Sequence, residues 1–184
     1  MRIIAGEYRG RRIKVSDRPG LRPTPDRVRE TLFNWLGQWL DGMSCLDLFA
    51  GTGALGFEAA SRGAPRVVMV ESDRTAFDAL QATRQIIGAA SVELVFGDAF
   101  AYLAGDGERF DVVFLDPPFR QNALPAVFQR LTKRLNDGAR IYVESGEPTA
   151  PGGCTELKRA RAGQVSYQLF EWRGDDQGGL SGNV

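Results

Sequence analysis

From Ser44 onward the chain alternates short apolar runs with amphipathic segments, and this alternation restricts the fold more than any other feature. The apolar runs are "SCLDLF", "RVVMVE", "SVELVF", "FDVVFLD" and "ARIYVES", and the stretches between them space their apolar residues as helices do. Runs that are apolar almost throughout are typical of strands covered on both faces, as in parallel sheets. We therefore predict an α/β fold with a doubly wound, mostly parallel sheet.

The C-terminal part of the chain changes style. The segment "CTELKRARAGQVSYQLFEWR" has two alternating stretches joined near Gly163, which predicts an antiparallel hairpin at the sheet edge. Residues 174–184 have little apolar content, so we expect a disordered tail. There is no internal repeat and no sign of a second core, which indicates one domain over residues 1–173.

The N-terminal part predicts two further elements. "MRIIAGEYRGRRIKV" alternates apolar and basic residues around two glycines, and predicts a small β-hairpin within a basic arm of residues 1–20. An amphipathic helix is expected from about Asp26 to Gly42. One face of this helix is apolar and carries Val28, Leu32, Trp35, Leu36 and Trp39.

The composition excludes several kinds of chemistry. The chain has 184 residues and no histidine, which removes Ser-His-Asp hydrolysis, Cys-His proteolysis and His-ligated zinc. Cys45 and Cys154 are the only cysteines and lack metal-ligand spacing, so we expect free thiols in a reducing cytoplasm and no metal site. No stretch has the length and apolarity of a membrane span, and we expect no contact with a membrane.

Positive charge is concentrated near the N-terminus. Residues 1–30 contain nine Lys and Arg against four Asp and Glu, whereas the whole chain contains 23 of each kind. Such an excess favours an arm that binds a polyanion, although a basic hairpin that only faces solvent would have the same composition. The side chains predicted to contact nucleic-acid phosphates are Arg2, Arg9, Arg11, Arg12 and Lys14.

A glycine-rich loop follows the first apolar run. In "LDLFAGTGALG", Gly51, Gly53 and Gly56 have the GxGxxG spacing after a strand and before a helix, and Glu71 ends the next strand. In Rossmann-like folds such a loop lets a ligand approach the backbone, while an acidic residue after the second strand binds ribose hydroxyls. A glycine turn that only packs strand against helix would show the same spacing.

Two carboxylates near this loop favour S-adenosylmethionine over a dinucleotide. Asp47 precedes Gly51 by four residues, where it would repel a pyrophosphate but attract an ammonium or sulfonium. At the end of the third strand, Asp98 is placed to accept a hydrogen bond from an adenine amine. Next to it, Ala99 and Phe100 are expected to line the purine, with Phe100 covering its face.

The segment "VVFLDPPF" carries the predicted reaction chemistry. The strand stops at Asp116, and two prolines then fix the backbone. An exocyclic amine is a poor nucleophile because its lone pair is delocalised into the base. The Asp116 carboxylate and the Pro117 carbonyl can each accept one of its N–H groups, and Phe119 can stack on the flipped base. Alternatively, Asp116 only caps a following helix.

Several segments together resemble one bacterial family. They are "RIIAGEYRGRRI", "GLRPTPDRVRETLFNWL", "LDLFAGTGALGFEA", "DPPF", "IYVES" and "AGQVSYQLF". They are similar to the 16S ribosomal RNA guanine-N2 methyltransferases, the RsmD family, over about residues 1–173. The resemblance implies a seven-stranded class I methyltransferase sheet and S-adenosylmethionine-dependent methylation of a guanine N2 in small-subunit rRNA or its assembly particle. It also implies that Thr24 and Arg27 lie over the methyl-donor pocket, in a cytoplasmic enzyme that we expect to be a monomer.

Three other functions remain compatible with the motifs. A DNA adenine-N6 or protein-glutamine methyltransferase would share the (D/N)PP(F/Y) loop, and methyl transfer to duplex DNA would reveal the former. A non-catalytic RNA-binding module could keep the fold, but it would have no use for Asp116 and the glycine loop. An NAD-dependent oxidoreductase would use the glycine loop but not Asp47.

Overall fold

A computed structural model describes residues 1–15, 24–118 and 122–174 of the chain. Its strands are β1 (Ser44–Asp47), β2 (Arg66–Glu71), β3 (Val92–Phe96), β4 (Phe110–Leu115), β5 (Leu135–Ser145), β6 (Cys154–Ala162) and β7 (Val165–Trp172). Its helices are α1 (Asp26–Leu36), α2 (Ala54–Ser61), α3 (Arg74–Ile87), α4 (Ala99–Ala104) and α5 (Leu124–Leu131), and a 3₁₀ turn (Thr132–Arg134) follows α5.

The seven strands form one sheet in the order β3-β2-β1-β4-β5-β7-β6. Strands β1 to β5 are parallel to their neighbours, whereas β7 is antiparallel to β5, and β6 to β7. The chain winds outward from β1 to β3 and then returns to the middle at β4. Ligands of open α/β sheets bind at the carboxyl ends of the strands beside such a reversal, here between β1 and β4. The predicted doubly wound α/β fold is confirmed.

Apolar cores lie on both faces of the sheet, as the near-continuous apolar strands predict. Along β4, Val112 and Phe114 face one core, where Phe114 packs against Phe33 of α1. Val113 and Leu115 face the other core with α4 and α5. None of the helices in the described part of the chain is long and apolar enough to cross a membrane.

The N-terminal segment forms the predicted hairpin in a short, irregular form. Between residues 1 and 15, Arg2 and Arg12 make an antiparallel bridge, and a backbone hydrogen bond of 3.0 Å joins the two arms on each side of it. The hairpin is also held by the domain, because Ile3, Tyr8 and Ile13 are buried in the core. Residues 16–20 of the predicted arm lie outside the described residues.

Helix α1 ends earlier than predicted. It begins at Asp26 as expected but stops at Leu36, because Gly37 adopts the left-handed conformation with φ of 104°. Trp39 therefore does not belong to the apolar helix face, and it is 59% exposed. At the other end of the chain, residues 175–184 of the predicted tail lie outside the described residues.

Candidate active site

Four acidic residues end four neighbouring strands at one edge of the sheet. Asp47 ends β1, Glu71 ends β2, Asp116 follows β4, and Glu144 is the penultimate residue of β5. Because these strands are parallel and adjacent, their carboxyl ends lie side by side. This acidic edge is where the topology predicts a ligand.

The glycine loop between β1 and α2 needs its glycines for two reasons. Gly51 and Gly53 have φ of 54° and 79°, a region that side chains with Cβ rarely adopt. A Cβ on Gly53 would also lie 2.6 Å from side-chain carbons of both Leu80 and Phe57. The tight turn therefore brings backbone N–H groups to the acidic edge without obstructing side chains.

Two of the acids fix this loop. Glu71 accepts hydrogen bonds from the backbone N–H of Gly51 (2.8 Å, Oε2) and of Asp73 (2.7 Å, Oε1). Asp47 is only 2% exposed and accepts a bond from the backbone N–H of Gly56 through Oδ2 (3.1 Å). The pKa of Asp47 is raised to about 7, mainly by burial; the Gly56 N–H lowers this pKa, and the Glu71 carboxylate contributes to the rise. A cation bound here would restore the ionised form.

The predicted adenine site lies at the start of α4. Asp98 caps this helix, and its Oδ1 accepts from the backbone N–H of Phe100 (2.9 Å) and of Ala101 (3.1 Å). Ala99 is buried, and the guanidinium of Arg130 lies 5.3 Å from the centre of the Phe100 ring. Contact of these residues with an adenine stays a prediction.

Asp116 and Pro117 lie directly after β4, next to the glycine loop. Asp116 is half-buried and Pro117 is buried. The pKa of Asp116 is raised well above its ordinary value, first by burial and then by the carboxylates of Glu144 and Asp47. The carboxyl groups of Asp116, Glu144 and Asp47 are therefore close enough to repel one another when they are ionised. Such a cluster favours a ligand that is cationic or rich in hydrogen-bond donors. Phe119 lies outside the described residues, so its predicted stacking role stays a prediction.

Glu144 is a candidate site residue that was not predicted from the sequence. Its Oε1 accepts hydrogen bonds from the hydroxyls of Tyr142 (3.0 Å) and Thr24 (3.2 Å), and the side chain is almost fully buried. Burial raises the pKa of Glu144 to about 7. One signal was available, since Glu144 closes the apolar run "IYVES" much as Glu71 closes "RVVMVE". The bond to Thr24 ties the entry of α1 to the acidic edge, and Arg27 is exposed on the first turn of that helix.

Comparison with known proteins places this geometry in a family. Residues 1–171 match the family described as "Conserved hypothetical protein 95". The chain is 44% identical over 177 residues to "Ribosomal RNA small subunit methyltransferase D" of Escherichia coli, a match covering 93% of this chain and 89% of that protein. It is 42% identical over 180 residues to the protein of the same name from Haemophilus influenzae, covering 93% of each. The chain belongs to this methyltransferase D family.

The fold agrees with this family membership. A solved structure of the Escherichia coli protein yhhF superimposes with a TM-score of 0.86 at 44% identity, covering 95% of this chain and 98% of that one. The seven-stranded class I methyltransferase sheet expected from the resemblance is confirmed. Within the described residues, no three His, Cys, Asp or Glu side chains are arranged to hold a metal ion.

The five basic N-terminal side chains predicted to contact RNA are all exposed, and two of them donate hydrogen bonds to backbone carbonyls. Arg2 donates to the carbonyl of Gly10 (2.6 Å), and Arg11 donates to the carbonyl of Ile87 (3.0 Å). Contact of Arg2, Arg9, Arg11, Arg12 and Lys14 with RNA phosphates stays a prediction.

Proposed function

We propose that the protein transfers a methyl group from S-adenosylmethionine to the exocyclic N2 of a guanine in small-subunit ribosomal RNA, in the cytoplasm. The family relatives named as ribosomal RNA small subunit methyltransferases support methylation of rRNA. The observation that carries the proposal is the place of Asp116 and Pro117, after β4 and beside the glycine loop at the winding reversal.

The acidic edge suits this cofactor. S-adenosylmethionine supplies an electrophilic methyl group on a sulfonium and carries an ammonium at its methionine end. The Asp47 carboxylate is buried beside the loop, where its ionised form lacks solvation and gains from a neighbouring cation. The left-handed glycines leave room for the ligand at the backbone. Glu71, which ends β2 beside this loop, would accept hydrogen bonds from the ribose hydroxyls.

Asp116 and Pro117 would prepare the amine. The carboxylate of Asp116 accepts one N2–H and the carbonyl of Pro117 accepts the other, which orients the nitrogen lone pair toward the methyl group. The bound cofactor would supply the methyl group and leave as the neutral thioether, and Asp116 would stabilise the positive charge that the transfer puts on the nitrogen. The raised pKa of Asp116 makes its carboxylate a fit acceptor for the proton that N2 then releases.

The experiment is transfer of radiolabelled methyl to unmodified small-subunit rRNA, to the small-subunit particle and to duplex DNA, followed by nucleoside analysis. The expected product is N2-methylguanosine in RNA. N6-methyladenine in DNA would overturn the proposal, as would an absence of transfer to both RNA substrates. Comparing free rRNA with the particle identifies the form that the enzyme accepts.

A variant pair connects the activity to Asp116. We expect Asp116→Ala to slow single-turnover transfer by about a hundredfold or more, as removal of one oxyanion-hole donor does. Asp116→Asn should retain more activity, because the amide oxygen still accepts a hydrogen bond. The matched control is Asp137→Ala, since Asp137 is exposed near the opposite end of β5. Wild-type turnover by Asp116→Ala would mean that the loop only terminates the strand.

A further inference from the structure

Glu144 lies beside Asp116 at the end of the sheet. The last paired residues of β4 and β5 are Leu115 and Val143, in parallel register. The next residue on each strand is Asp116 on one and Glu144 on the other. Neighbouring strands are about 4.8 Å apart, and paired positions of parallel strands point to the same face. The two carboxylates therefore stand next to each other where the amine is to be held.

The orientation of Glu144 is fixed through one of its two oxygens. Both hydroxyl donors, from Thr24 and Tyr142, end on Oε1. Tyr142 is itself held by a stacked contact with Tyr167, with ring centres 6.4 Å apart. A carboxylate that is only 6% exposed ordinarily pairs with a cation. Within the described part of the chain, no lysine or arginine forms an ion pair with Glu144.

We propose that Glu144 selects the base, by accepting the N1–H of the guanine whose N2 amine is held by Asp116. This inference rests on the proposed function. The Watson–Crick edge of guanine presents N1–H and the N2 amine side by side, so that two adjacent acceptors match two adjacent donors. Adenine presents its amine beside an unprotonated N1. The lone pair of this N1 would be repelled by the carboxylate of Glu144. Specificity of this kind combines an attraction with a repulsion.

A second role for Glu144 would be purely structural. Through Thr24 it anchors the chain that enters α1, and loss of that anchor would slow every substrate alike. A base-selecting role instead changes the ratio of rates between two bases. The ratio therefore separates the two roles, and a rate alone does not.

The test compares guanosine with 2-aminopurine at one position of the RNA. The probe is the rRNA fragment that carries the nucleotide methylated in the transfer experiment, synthesised with either base there. The base 2-aminopurine keeps the N2 amine but has an unprotonated N1. Reactions run at pH 8.5, above the pKa of about 7 that burial gives Glu144, so that its carboxylate is ionised.

We expect the wild-type enzyme to prefer guanosine by at least about tenfold in kcat/KM, as a site with matched hydrogen bonds discriminates. In Glu144→Gln, the amide N–H can donate to the unprotonated N1 of 2-aminopurine, while the amide oxygen still accepts from the hydroxyls of Thr24 and Tyr142. The preference of this variant for guanosine should therefore fall below about threefold. Thr24→Val is the matched control: it removes the anchor but keeps the acceptor, so its preference should remain near that of wild type.

Each result decides the question. A wild-type enzyme that uses both bases within about threefold overturns the proposal without any variant. A Glu144→Gln enzyme that keeps the wild-type ratio overturns it as well, in favour of the structural role. If Glu144→Gln fails to bind S-adenosylmethionine, the ratio of rates for guanosine and 2-aminopurine is measured with Glu144→Ala. Alanine offers N1 neither a hydrogen-bond acceptor nor a donor, so the preference should again be lost. Absence of N2-methylguanosine from both RNA substrates of the transfer experiment would instead refute the proposed function.

Discussion

Replacing Asp47 by Asn should stabilise the cofactor-free protein at high pH and lower its affinity for the proposed cofactor, S-adenosylmethionine. Asp47 is 2% exposed, and burial raises its pKa to about 7 from an ordinary value of 3.8. Asn is nearly the same size, and its amide oxygen can still accept from the backbone N–H of Gly56. The substitution therefore removes a charge without removing this structural hydrogen bond.

The sign and size of the effect follow from proton linkage. The folded protein binds the Asp47 proton more tightly than the unfolded chain does, because the folded pKa is the higher one. The stability that Asp47 contributes is complete below pH 4 and is lost as the pH rises to 7 and above. Between pH 5.5 and 8.5 this loss amounts to roughly 2 kcal/mol in the free energy of unfolding. Glu144 and Asp116 add losses of the same sign in both proteins.

The assay is urea unfolding of wild type and Asp47→Asn at pH 5.5 and 8.5. We expect wild type to lose roughly 2 kcal/mol more than the variant between these two pH values. Asp137→Asn, at an exposed position, should follow wild type at both. Calorimetry at pH 8.5 should show weaker S-adenosylmethionine binding to the Asp47 variant, by about tenfold or more. Equal pH dependence of stability in Asp47→Asn and wild type would refute the reasoning.

Three further outcomes are expected. Glu71→Ala should weaken S-adenosylmethionine binding by about ten- to a hundredfold, measured by calorimetry, because a charged acceptor is removed; unchanged affinity would remove Glu71 from the cofactor site. Replacing Arg9, Arg12 and Lys14 by Ser should flatten the salt dependence of RNA binding, by up to about 0.7 logarithmic units for each phosphate that is no longer neutralised. An unchanged slope would make these side chains merely solvated. Gly53→Ala should destabilise the protein by about 1–3 kcal/mol in urea unfolding, because φ is 79° there and the new Cβ has no room; unaltered stability would show that the loop relaxes.

The order of strands and helices could be predicted because each strand is buried on both faces. The run "RVVMVE" is β2 in full, from Arg66 to Glu71. The end of α1 could not be predicted from periodicity. Trp39 continues the apolar spacing, although the left-handed conformation of Gly37 has already ended the helix. In a similar way β5 begins at Leu135, earlier than its apolar run, because a 3₁₀ turn shortens the preceding helix.

The candidate site was only partly predictable. Asp47, Glu71 and Asp116 could be named because each stands beside a recognisable motif. Glu144 ends a recognisable strand, but its role in the site depends on β5 being the neighbour of β4 and on the Thr24 hydroxyl, 120 residues away in the chain. Contacts over that distance are set by topology, which local patterns do not encode.

The N-terminal segment gives a second example. Its basic composition predicted an arm for RNA, and deletion of residues 1–15 would be the obvious test. The structure shows that the same segment supplies Ile3, Tyr8 and Ile13 to the core. Deletion would therefore unfold part of the domain, and only substitution of exposed charges isolates a contribution to RNA binding.

Two buried glutamates, Glu58 and Glu144, differ in the partners that hold them. Glu58 is fully buried and receives the backbone N–H groups of Ile4 and Ala5 together with the guanidinium groups of Arg29 and Arg62. Glu144, buried almost as deeply, receives two hydroxyls. A buried charge without a cation costs stability, and the fold avoids that cost at Glu58. That the cost persists at Glu144, whose carboxylate acts on those of Asp116 and Asp47, is what we expect of the site proposed above for a cationic cofactor and a donor-rich base.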